Sequence, residues 1–201
     1  MAFKTVILDA GHGGIINGEY QTSGKRSPIW PDGSQLFEGE FNRAIKARLI
    51  EKLTADKINY IDINPEAKDI SLRERVSRAN KIKDCFYVSI HANAGGGKGS
   101  EVFISENASI TSEIIAEFAA TEYEKIFLPL LSSNFGYYWR GIKKKNFTVI
   151  SQTYCPAILF ECFFMDNQTE CKEILLTKEG RDLCAKWIYN TIIKTFNYGK
   201  N

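Results

Sequence analysis

Two kinds of pattern alternate along this chain, and that alternation restricts its fold more than any other feature. Short apolar runs rich in β-branched and aromatic residues have the length and composition of buried strands, whereas the longer segments between them have helical spacing. The strand-like runs are residues 3–8, 60–63, 86–90, 102–104, 147–150 and 157–160. Strands and helices in this order predict an α/β fold with a mainly parallel, twisted sheet that is covered by helices on both faces.

Four helices are predicted from apolar spacing and capping residues. The first spans about residues 40–56, the third about 112–127 and the last about 179–196. The second begins after Ser71, which forms a capping-box sequence with Glu74. The apolar stripes of the first and last helices are Phe41, Ile45, Leu49 and Leu53, and Leu183, Trp187, Ile188, Ile192 and Phe196. Stripes of this width are expected to pack on the sheet.

The length of the chain predicts one domain, residues 1–201, because 201 residues can enclose a single core of useful size. One connection is unusually long. Residues 13–37 are rich in Gly, Ser, Pro, Asn and charged residues and show no periodicity. Loops of this length in a compact domain are usually functional, so this loop is expected to lie near the site.

Charge and hydropathy exclude several classes of protein. The net charge is only +2, and the single basic run, residues 143–145, is short enough to be a solvated loop, so no nucleic-acid partner is expected. The chain lacks an apolar stretch of the roughly 18 residues that would span a bilayer, and residues 1–10 lack the order of a secretory signal. We therefore expect no stable membrane insertion and folding in the cytoplasm. Five cysteines without CxxC spacing predict free thiols.

Polar side chains follow three of the strand-like runs. His12 and His91, the two histidines of the chain, each follow one run, and Glu161 follows another. The ligand crevice of an open α/β sheet lies outside the carboxyl ends of its strands, so these side chains are expected to meet at one edge. Imidazoles and carboxylates suit Zn²⁺, and a catalytic zinc ion has three protein ligands and one open position. Glu38 and Glu40, where the long loop ends, are both candidates for the third ligand.

Segments along nearly the whole chain resemble the successive motifs of a known family. The matching segments are residues 7–14, 38–42, 72–80, 88–94, 140–144 and 161–167. They are similar to the motifs of the zinc-dependent N-acetylmuramoyl-L-alanine amidases (amidase type 3) and occur in the same order. The resemblance implies a single catalytic α/β domain. Such a domain would cleave the amide bond between the lactyl group of N-acetylmuramic acid and the L-alanine of the peptide stem in peptidoglycan.

The resemblance also implies a role for each matching residue. His12 and His91 match the two zinc-binding histidines of the family, and Glu38 matches its zinc-binding glutamate because it stands four residues before Asn42. Glu161 matches the catalytic glutamate. One Zn²⁺ ion and metal-assisted hydrolysis are therefore implied, with Glu161 as the general base that takes a proton from water and returns it to the departing nitrogen.

Two features depart from the family pattern. The family usually has glycine two residues after the catalytic glutamate, where this chain has Phe163. The loop at residues 13–37 is also more elaborate than the usual connection.

The resemblance selects Glu38 over Glu40 as the third ligand. Arg75, inside the second helix, is expected to be a structural ion-pair partner.

Substrate contacts are predicted for Arg140, Asn93 and Trp30. Arg140, or Lys143 close to it, is expected to bind a free carboxylate of the peptide stem. The neighbouring aromatic residues, interpreted either as a platform that stacks on sugars or as an amphipathic surface segment, are Tyr137, Tyr138 and Trp139.

The resemblance further implies peptidoglycan as the partner, and a monomer is expected. A wall hydrolase without a signal peptide or an appended wall-binding domain resembles a phage or prophage endolysin. Such an enzyme is made in the bacterial host cytoplasm and acts on the cell wall and periplasm after the membrane is permeabilised.

Two other functions are compatible with the same residues. A muramidase could use Glu38 and Glu161 as paired carboxylates without metal, since glycosidases need only such a pair at a defined separation. A non-catalytic wall-binding module could have the same fold. Loss of activity on chelation and recovery with Zn²⁺ would favour the amidase over the muramidase.

Overall fold

The protein is described here by a computed structural model, which covers residues 3–130 and 138–198. The strands in these residues are β1 (Thr5–Ala10), β2 (Ile15–Ile16), β3 (Glu19–Tyr20), β4 (Tyr60–Asp62), β5 (Cys85–Asn93), β6 (Ser100–Ile104), β7 (Trp139–Lys144) and β8 (Ala157–Phe164). The helices are α1 (Glu38–Ala55), α2 (Leu72–Ala79), α3 (Ile110–Phe127), α4 (Thr148–Ser151), α5 (Gln168–Glu170) and α6 (Lys178–Tyr198). A 3₁₀ turn, Leu128–Leu130, follows α3, and a π-helical turn, Cys171–Leu175, follows α5.

The described residues form one six-stranded sheet and one small hairpin. The order in the sheet is β4–β1–β5–β8–β6–β7, and β2 pairs with β3. All neighbours in the large sheet are parallel except β6 and β8. Parallel neighbours require crossover connections, and α1 joins β1 to β4 while α2 joins β4 to β5. The predicted single-domain α/β fold with a mainly parallel sheet is confirmed.

The larger core lies on what we call the first face of the sheet, beneath α1, α3 and α6. The predicted stripes provide much of it: Phe41, Ile45, Leu49, Leu53, Trp187, Ile188 and Ile192 are fully buried, and Leu183 and Phe196 are partly buried. The indole N–H of Trp187 donates to the carbonyl of Ala119 at 2.7 Å. Burial of this large ring therefore leaves no unpaired donor.

The second face has a smaller core, in which Ile7, Tyr87 and Leu159 of the sheet pack with Val149 and Ile150 of α4. Helix α2 covers the same side and packs against α4. Coverage by helices on both faces is thus confirmed, but it is unequal. Beyond α2 and α4 the second face carries polar side chains instead of an apolar core.

Helix α2 begins as its sequence predicts, with half of the capping box. Ser71 Oγ accepts a hydrogen bond from the backbone N–H of Glu74 at 3.1 Å. The Glu74 carboxylate does not complete the box, because it accepts a hydrogen bond from Arg78 Nε at 2.9 Å. A side chain that caps one backbone N–H group without a partner inside the helix is enough to define where α2 begins.

The strand prediction for residues 147–150 is wrong, because these residues lie at the start of α4. The N–H groups of Ile150 and Ser151 donate to the Phe147 carbonyl. A four-residue apolar run has no period that separates a strand from one buried helical turn. Val149 and Ile150 are buried in either case.

Strand β7 of the large sheet was not predicted, and it overlaps the basic run. Lys143 and Lys144 lie in β7, and Lys145 follows it, so the interpretation of residues 143–145 as a loop is also wrong. Strand β7 is an edge strand that pairs only with β6 in the described sheet. Edge strands are commonly protected by charged side chains, which hides their strand character in the sequence.

The long connection at residues 13–37 contains the β2–β3 hairpin and is otherwise irregular. A single bridge pairs Arg26 with Phe37, and the backbone N–H of Ser27 donates to Leu36 O at 2.8 Å.

The five cysteines are free thiols, and all but Cys155 are buried. Among the described residues, the helices are all too short or too polar to cross a membrane.

Candidate active site

Four polar side chains from different parts of the chain lie around the carboxyl ends of β1, β5 and β8. His12 follows β1 by two residues, and Glu38 is the first residue of α1. His91 of β5 and Glu161 of β8 are register partners on neighbouring parallel strands. The expectation that His91 and Glu161 follow their strands needs correction, because both strands continue beyond them to Asn93 and Phe164. Their side chains instead project from the uncovered part of the second face.

The two imidazoles converge on one carboxylate. Glu38 Oε1 lies 3.2 Å from His12 Nε2 and 3.0 Å from His91 Nδ1. The three potential ligand atoms all lie within 4.8 Å of one another, and the two imidazole rings are nearly perpendicular with centroids 5.1 Å apart. Burial raises the pKa of Glu38, but hydrogen bonds from His12 and His91 outweigh that effect and hold the pKa well below its usual value.

Glu40, the alternative third ligand, has a different role. Its Oε1 accepts a hydrogen bond from the backbone N–H of Ile15 at 2.8 Å and so anchors the β2–β3 hairpin to α1. Glu38 is buried, whereas Glu40 is exposed. The structure therefore brings Glu38, and not Glu40, to the two histidines.

The chain reverses sharply between β1 and the hairpin, and this turn presents His12. His12 has a left-handed backbone with φ of 65°, which is uncommon for a residue with a side chain. Two guanidinium groups hold its carbonyl oxygen: Arg43 Nη1 donates at 2.8 Å and Arg75 Nη2 at 3.3 Å. These hydrogen bonds offset the cost of the strained conformation.

Gly11, before His12, allows the two histidines to approach each other. A Cβ atom on Gly11 would lie 2.1 Å from Cε1 of His91, far inside van der Waals contact. We expect Gly11→Ala to displace His91 from the cluster. Zn²⁺ added as a probe, in competition with a chromophoric chelator, should then bind on the order of 10- to 100-fold more weakly than to the parent chain.

The matched control for this substitution is Gly14→Ala. The nearest atom to a Cβ there is Oε1 of Glu40, which bonds to the hairpin backbone at Ile15 and to neither histidine. We expect this variant to bind zinc within about threefold of the parent chain, because no ligand is displaced. Equal zinc affinity in the Gly11 and Gly14 variants would show that the position of His91 does not require a residue without a Cβ atom at position 11.

Arg75 is a buried ion-pair partner, as the sequence predicts. It pairs with Asp9, which is also fully buried, and with Asp69 at 3.1 Å. Asp9 in turn accepts hydrogen bonds from the hydroxyls of Tyr87 at 2.7 Å and Ser89 at 3.0 Å. Because Arg75 also donates to the backbone carbonyl of the His12 turn, this network joins the core of the second face to the site.

We expect Arg75→Met to lower the free energy of unfolding by about 3–5 kcal/mol, because Asp9 would be left as an unpaired buried charge. Urea denaturation followed by circular dichroism measures this loss. Arg78→Met is the control, since Arg78 is only partly buried and pairs with Glu66 and Glu74 at the surface, where a pair contributes about 1 kcal/mol or less. Similar losses in both variants would contradict the structural role of the Arg75 pair.

Glu161 lies beside this constellation with an unused oxygen. Its Oε2 is buried and has no hydrogen-bond partner among the described residues. Burial raises the pKa of Glu161 to about 8; His91 opposes the shift, while the negative charges of Glu38 and Glu101 add to it. A carboxyl group with a high proton affinity and a free oxygen beside a ligand cluster is suited to accept a proton from water.

A cavity of about 540 Å³ adjoins the two histidines. The long connection at residues 13–37 contributes Gln21 to the wall of this cavity. The other lining residues are Asp9, Gly11, Asp69, Ile70, Ser71, Leu72, Arg75 and Val149. The cavity lies on the α2 side of the site and offers both apolar and hydrogen-bonding groups to a ligand.

Phe163, where the family usually has glycine, has a left-handed backbone with φ of 54°. Glycine adopts this conformation freely, whereas for a bulky residue it costs roughly 1–2 kcal/mol. The Phe163 ring is fully buried in the first-face core, 5.5 Å from the ring of Phe127. Burial of a phenylalanine contributes about 1.5–3 kcal/mol, which offsets the strain, so β8 keeps its irregular end without glycine.

The predicted substrate contacts are divided between two places. Arg140 Nε donates to Glu101 at 2.7 Å, and Asn93 Nδ2 donates to the same carboxylate at 2.7 Å. Trp30 packs against the first-face core and donates from Nε1 to Cys171 Sγ at 3.3 Å.

The predicted aromatic platform is not a single surface. The Trp139 ring packs in the first-face core, 4.8 Å from the ring of Tyr123, whereas Tyr138 is exposed with Lys98 Nζ 5.7 Å from its ring centroid. Tyr137 lies outside the described residues.

Sequence reasoning missed Glu101, a buried carboxylate on β6. It is the register partner of Glu161 on the antiparallel β6–β8 pair, so the two carboxylates share the second face. The available signal was its position directly before the apolar run at residues 102–104, where a charged residue needs a partner if buried.

The sequence and the fold were compared with those of known proteins. Residues 6–194 match the family described as N-acetylmuramoyl-L-alanine amidase. The chain belongs to this family. An N-acetylmuramoyl-L-alanine amidase from Clostridium difficile 630 has the same fold, with a TM-score of 0.81, 25% sequence identity and coverage of 98% of both chains.

Two curated relatives extend this comparison. An uncharacterized cell wall amidase of Bacillus anthracis is 32% identical over 197 residues, which are 97% of this chain and 36% of that protein. The endolysin of Bacillus phage SPP1 is 29% identical over 182 residues, which are 88% of this chain and 60% of that protein. The chain thus spans about a third and three fifths of these two relatives. It is a hydrolase of the amidase family, and its substrate class is peptidoglycan.

Proposed function

We propose that this chain is a zinc-dependent amidase that cleaves the bond between N-acetylmuramic acid and L-alanine, with Glu161 as the general base. His12, Glu38 and His91 would hold one Zn²⁺ ion. The observation that carries this proposal is the convergence of both imidazoles on the buried Glu38 carboxylate, with the unpartnered Glu161 oxygen on the next strand.

The residues present fit a zinc ion. Two neutral imidazoles and one carboxylate are a ligand set that catalytic zinc sites use, and they leave a net charge of +1 and an open coordination position. Among the described residues, the ion-pair contacts of the buried Glu38 carboxylate are with the two imidazoles alone, so with neutral imidazoles a metal ion would supply the positive charge that burial of a carboxylate requires. A zinc ion bound there supplies a Lewis acid that acidifies water and polarises the scissile carbonyl.

The residues of the chain supply the remaining steps. Glu161 accepts a proton from the water molecule that attacks the carbonyl carbon, and it returns that proton to the alanine nitrogen as the amide bond breaks. Burial raises the proton affinity of Glu161, which favours acceptance of the proton from water, and its position beside the ligand cluster allows the same carboxyl group to return it. The products are a muramic acid carboxylate and a peptide stem with a free amino terminus.

The metal-free muramidase alternative is less well supported. That mechanism requires Glu38 as an acid or nucleophile, but its carboxylate is buried and bonded to both histidines. The two histidines would also have no role. A non-catalytic module would not require an unpartnered buried carboxylate beside three ligand atoms.

The experiment that tests the proposed function is mass spectrometry of purified peptidoglycan after digestion. An amidase releases stem peptides with free amino-terminal alanine and leaves the glycan strands intact. New reducing sugar ends without free alanine would instead establish the muramidase, and an unchanged polymer would support the binding module.

The oligomeric state and the biological role of this activity are also proposals. The enzyme is proposed to be a monomer, and light scattering during size exclusion tests this directly. Similarity to a phage endolysin supports a role in wall lysis, whereas similarity to a Bacillus anthracis wall amidase supports a cellular role. The phage origin and the cytoplasmic synthesis therefore stay predictions, as does substrate binding by Trp30.

A further inference from the structure

A row of polar side chains extends from the site across the second face of the sheet. His91 on β5 is the register partner of Glu161 on β8, and Glu161 is the register partner of Glu101 on β6. Register partners point to the same side of a sheet. Glu101 is thus the next carboxylate in this row, and the mechanism proposed above does not use it.

Three donors converge on Glu101. Arg140 Nε and Asn93 Nδ2 each donate at 2.7 Å, and Lys143 forms an ion pair with the same carboxylate. Burial raises the pKa of Glu101, but hydrogen bonds from Lys143, Arg140 and Asn93 outweigh that effect and lower the pKa. Glu101 is therefore a fixed negative charge that holds two cations.

The cations lie between Glu101 and solvent and are only partly neutralised. The Glu101 side chain is 5% exposed, whereas those of Arg140 and Lys143 are 28% and 38% exposed. Two positive charges on one carboxylate leave an excess of +1. The Arg140 guanidinium also lies over the ring of Phe164 at 4.9 Å, which restricts its orientation.

This arrangement has the features of a receptor for an anion. A guanidinium has five N–H donors, and the hydrogen bonds of Arg140 within the described residues are the one to Glu101 and a longer one to the Lys98 carbonyl at 3.4 Å. The remaining donors and the Lys143 ammonium can reach a ligand. Because the Glu101 carboxylate already holds both cations in place, little side-chain entropy is lost when a ligand binds.

We propose that Arg140 and Lys143 bind a free carboxylate of the stem peptide, and that Glu101 is the positioning residue that holds both cations. This inference rests on the amidase function proposed above. It assigns the peptide half of the substrate to the β6–β7 side of the site. The cavity on the α2 side is then free for the glycan half.

The spacing of the sheet agrees with this assignment. Neighbouring strands are about 4.8 Å apart, so Glu101 lies roughly 10 Å across the sheet from His91. An extended peptide spans about 3.3–3.6 Å per residue. A carboxylate within about three residues of the cleaved bond therefore reaches Arg140 and Lys143.

The test uses two synthetic muramyl peptides that differ at one group, the free carboxylate of the residue after L-alanine, which is a primary amide in the second peptide. The parent enzyme should cleave the acid with a kcat/KM about 10- to 100-fold higher, and the difference should lie in KM, because a charge-assisted pair forms in the bound state. Arg140→Gln and Lys143→Gln should each reduce this preference, and the double variant should abolish it by raising KM for the acid to the value for the amide.

Glu101→Gln tests the positioning role. It should reduce the preference while zinc content stays near the parent value, and Glu101→Asp should restore part of the preference. Lys144→Gln is the matched control, because Lys144 lies on the same strand but pairs with Glu113. It should keep the full preference.

Equal KM values for the acid and the amide with the parent enzyme would overturn the carboxylate receptor while leaving the amidase function intact. An unchanged preference in the Arg140 and Lys143 double variant would overturn it as well. If the parent enzyme cleaves neither peptide, the amidase proposal itself fails. Calorimetric binding of the two stem peptides repeats the comparison without turnover, so a variant with low activity still gives a decisive result.

Discussion

Glu161→Gln is expected to lower the turnover of peptidoglycan by about 100- to 10,000-fold while leaving zinc binding intact. The amide has nearly the same shape as the carboxylate but cannot accept the proton of the attacking water. Among the described residues, Glu161 forms no hydrogen bond or ion pair with Glu38 or His12, so the ligand set is preserved. Release of free amino-terminal alanine and the zinc content of the same preparation are the two measurements.

Glu113→Gln is a suitable control for this variant, because Glu113 is a partly exposed residue of α3 that pairs with Lys144. It should retain parent turnover. Parent turnover in Glu161→Gln would show that another group accepts the proton. Loss of zinc together with turnover would show that Glu161 acts as a ligand and not as a base.

Glu38→Gln is expected to lower zinc affinity by more than about 100-fold and to lower turnover with it. Substitutions that remove only a supporting hydrogen bond in a zinc site cost about 10- to 100-fold, and Glu38 is a ligand itself. Competition with a chromophoric chelator gives the affinity. Excess zinc should restore part of the activity, whereas it should restore none in Glu161→Gln, so the two variants separate binding from proton transfer.

Glu40→Gln is the matched control for the ligand assignment. Glu40 is two residues away and bonds to the hairpin backbone at Ile15, so zinc affinity should change by less than about threefold. If Glu40→Gln weakens zinc as much as Glu38→Gln does, the carboxylate seen between the two histidines is not the decisive ligand.

The sequence was sufficient to predict the central strands of the sheet and the meeting of the site residues at one edge of it. Apolar runs such as residues 86–90 and 157–160 become central strands because they are buried on both faces, and this leaves a strong compositional pattern. His12, His91 and Glu161 could be placed at one edge because parallel strands end together. The choice of Glu38 over Glu40 required the family resemblance, since both stand near the start of α1.

What the sequence did not reveal depends on contacts between distant residues. Strand β7 has charged side chains because it lies at the sheet edge, and residues 147–150 are too few to show a period. Glu101 is buried only because Arg140 and Lys143 from another strand neutralise it. The left-handed backbone of Phe163 likewise depends on a pocket in the first-face core and leaves no local pattern.

The central claim is that one divalent ion binds between His12, Glu38 and His91, beside Glu161. Anomalous diffraction at the zinc edge, from crystals grown with one equivalent of Zn²⁺, tests it most directly. A single strong peak is expected about 2.0–2.2 Å from one nitrogen of each imidazole and from a Glu38 oxygen, with Glu161 outside bonding distance. A peak elsewhere on the molecule, or no peak at these three side chains in an active preparation, would contradict it.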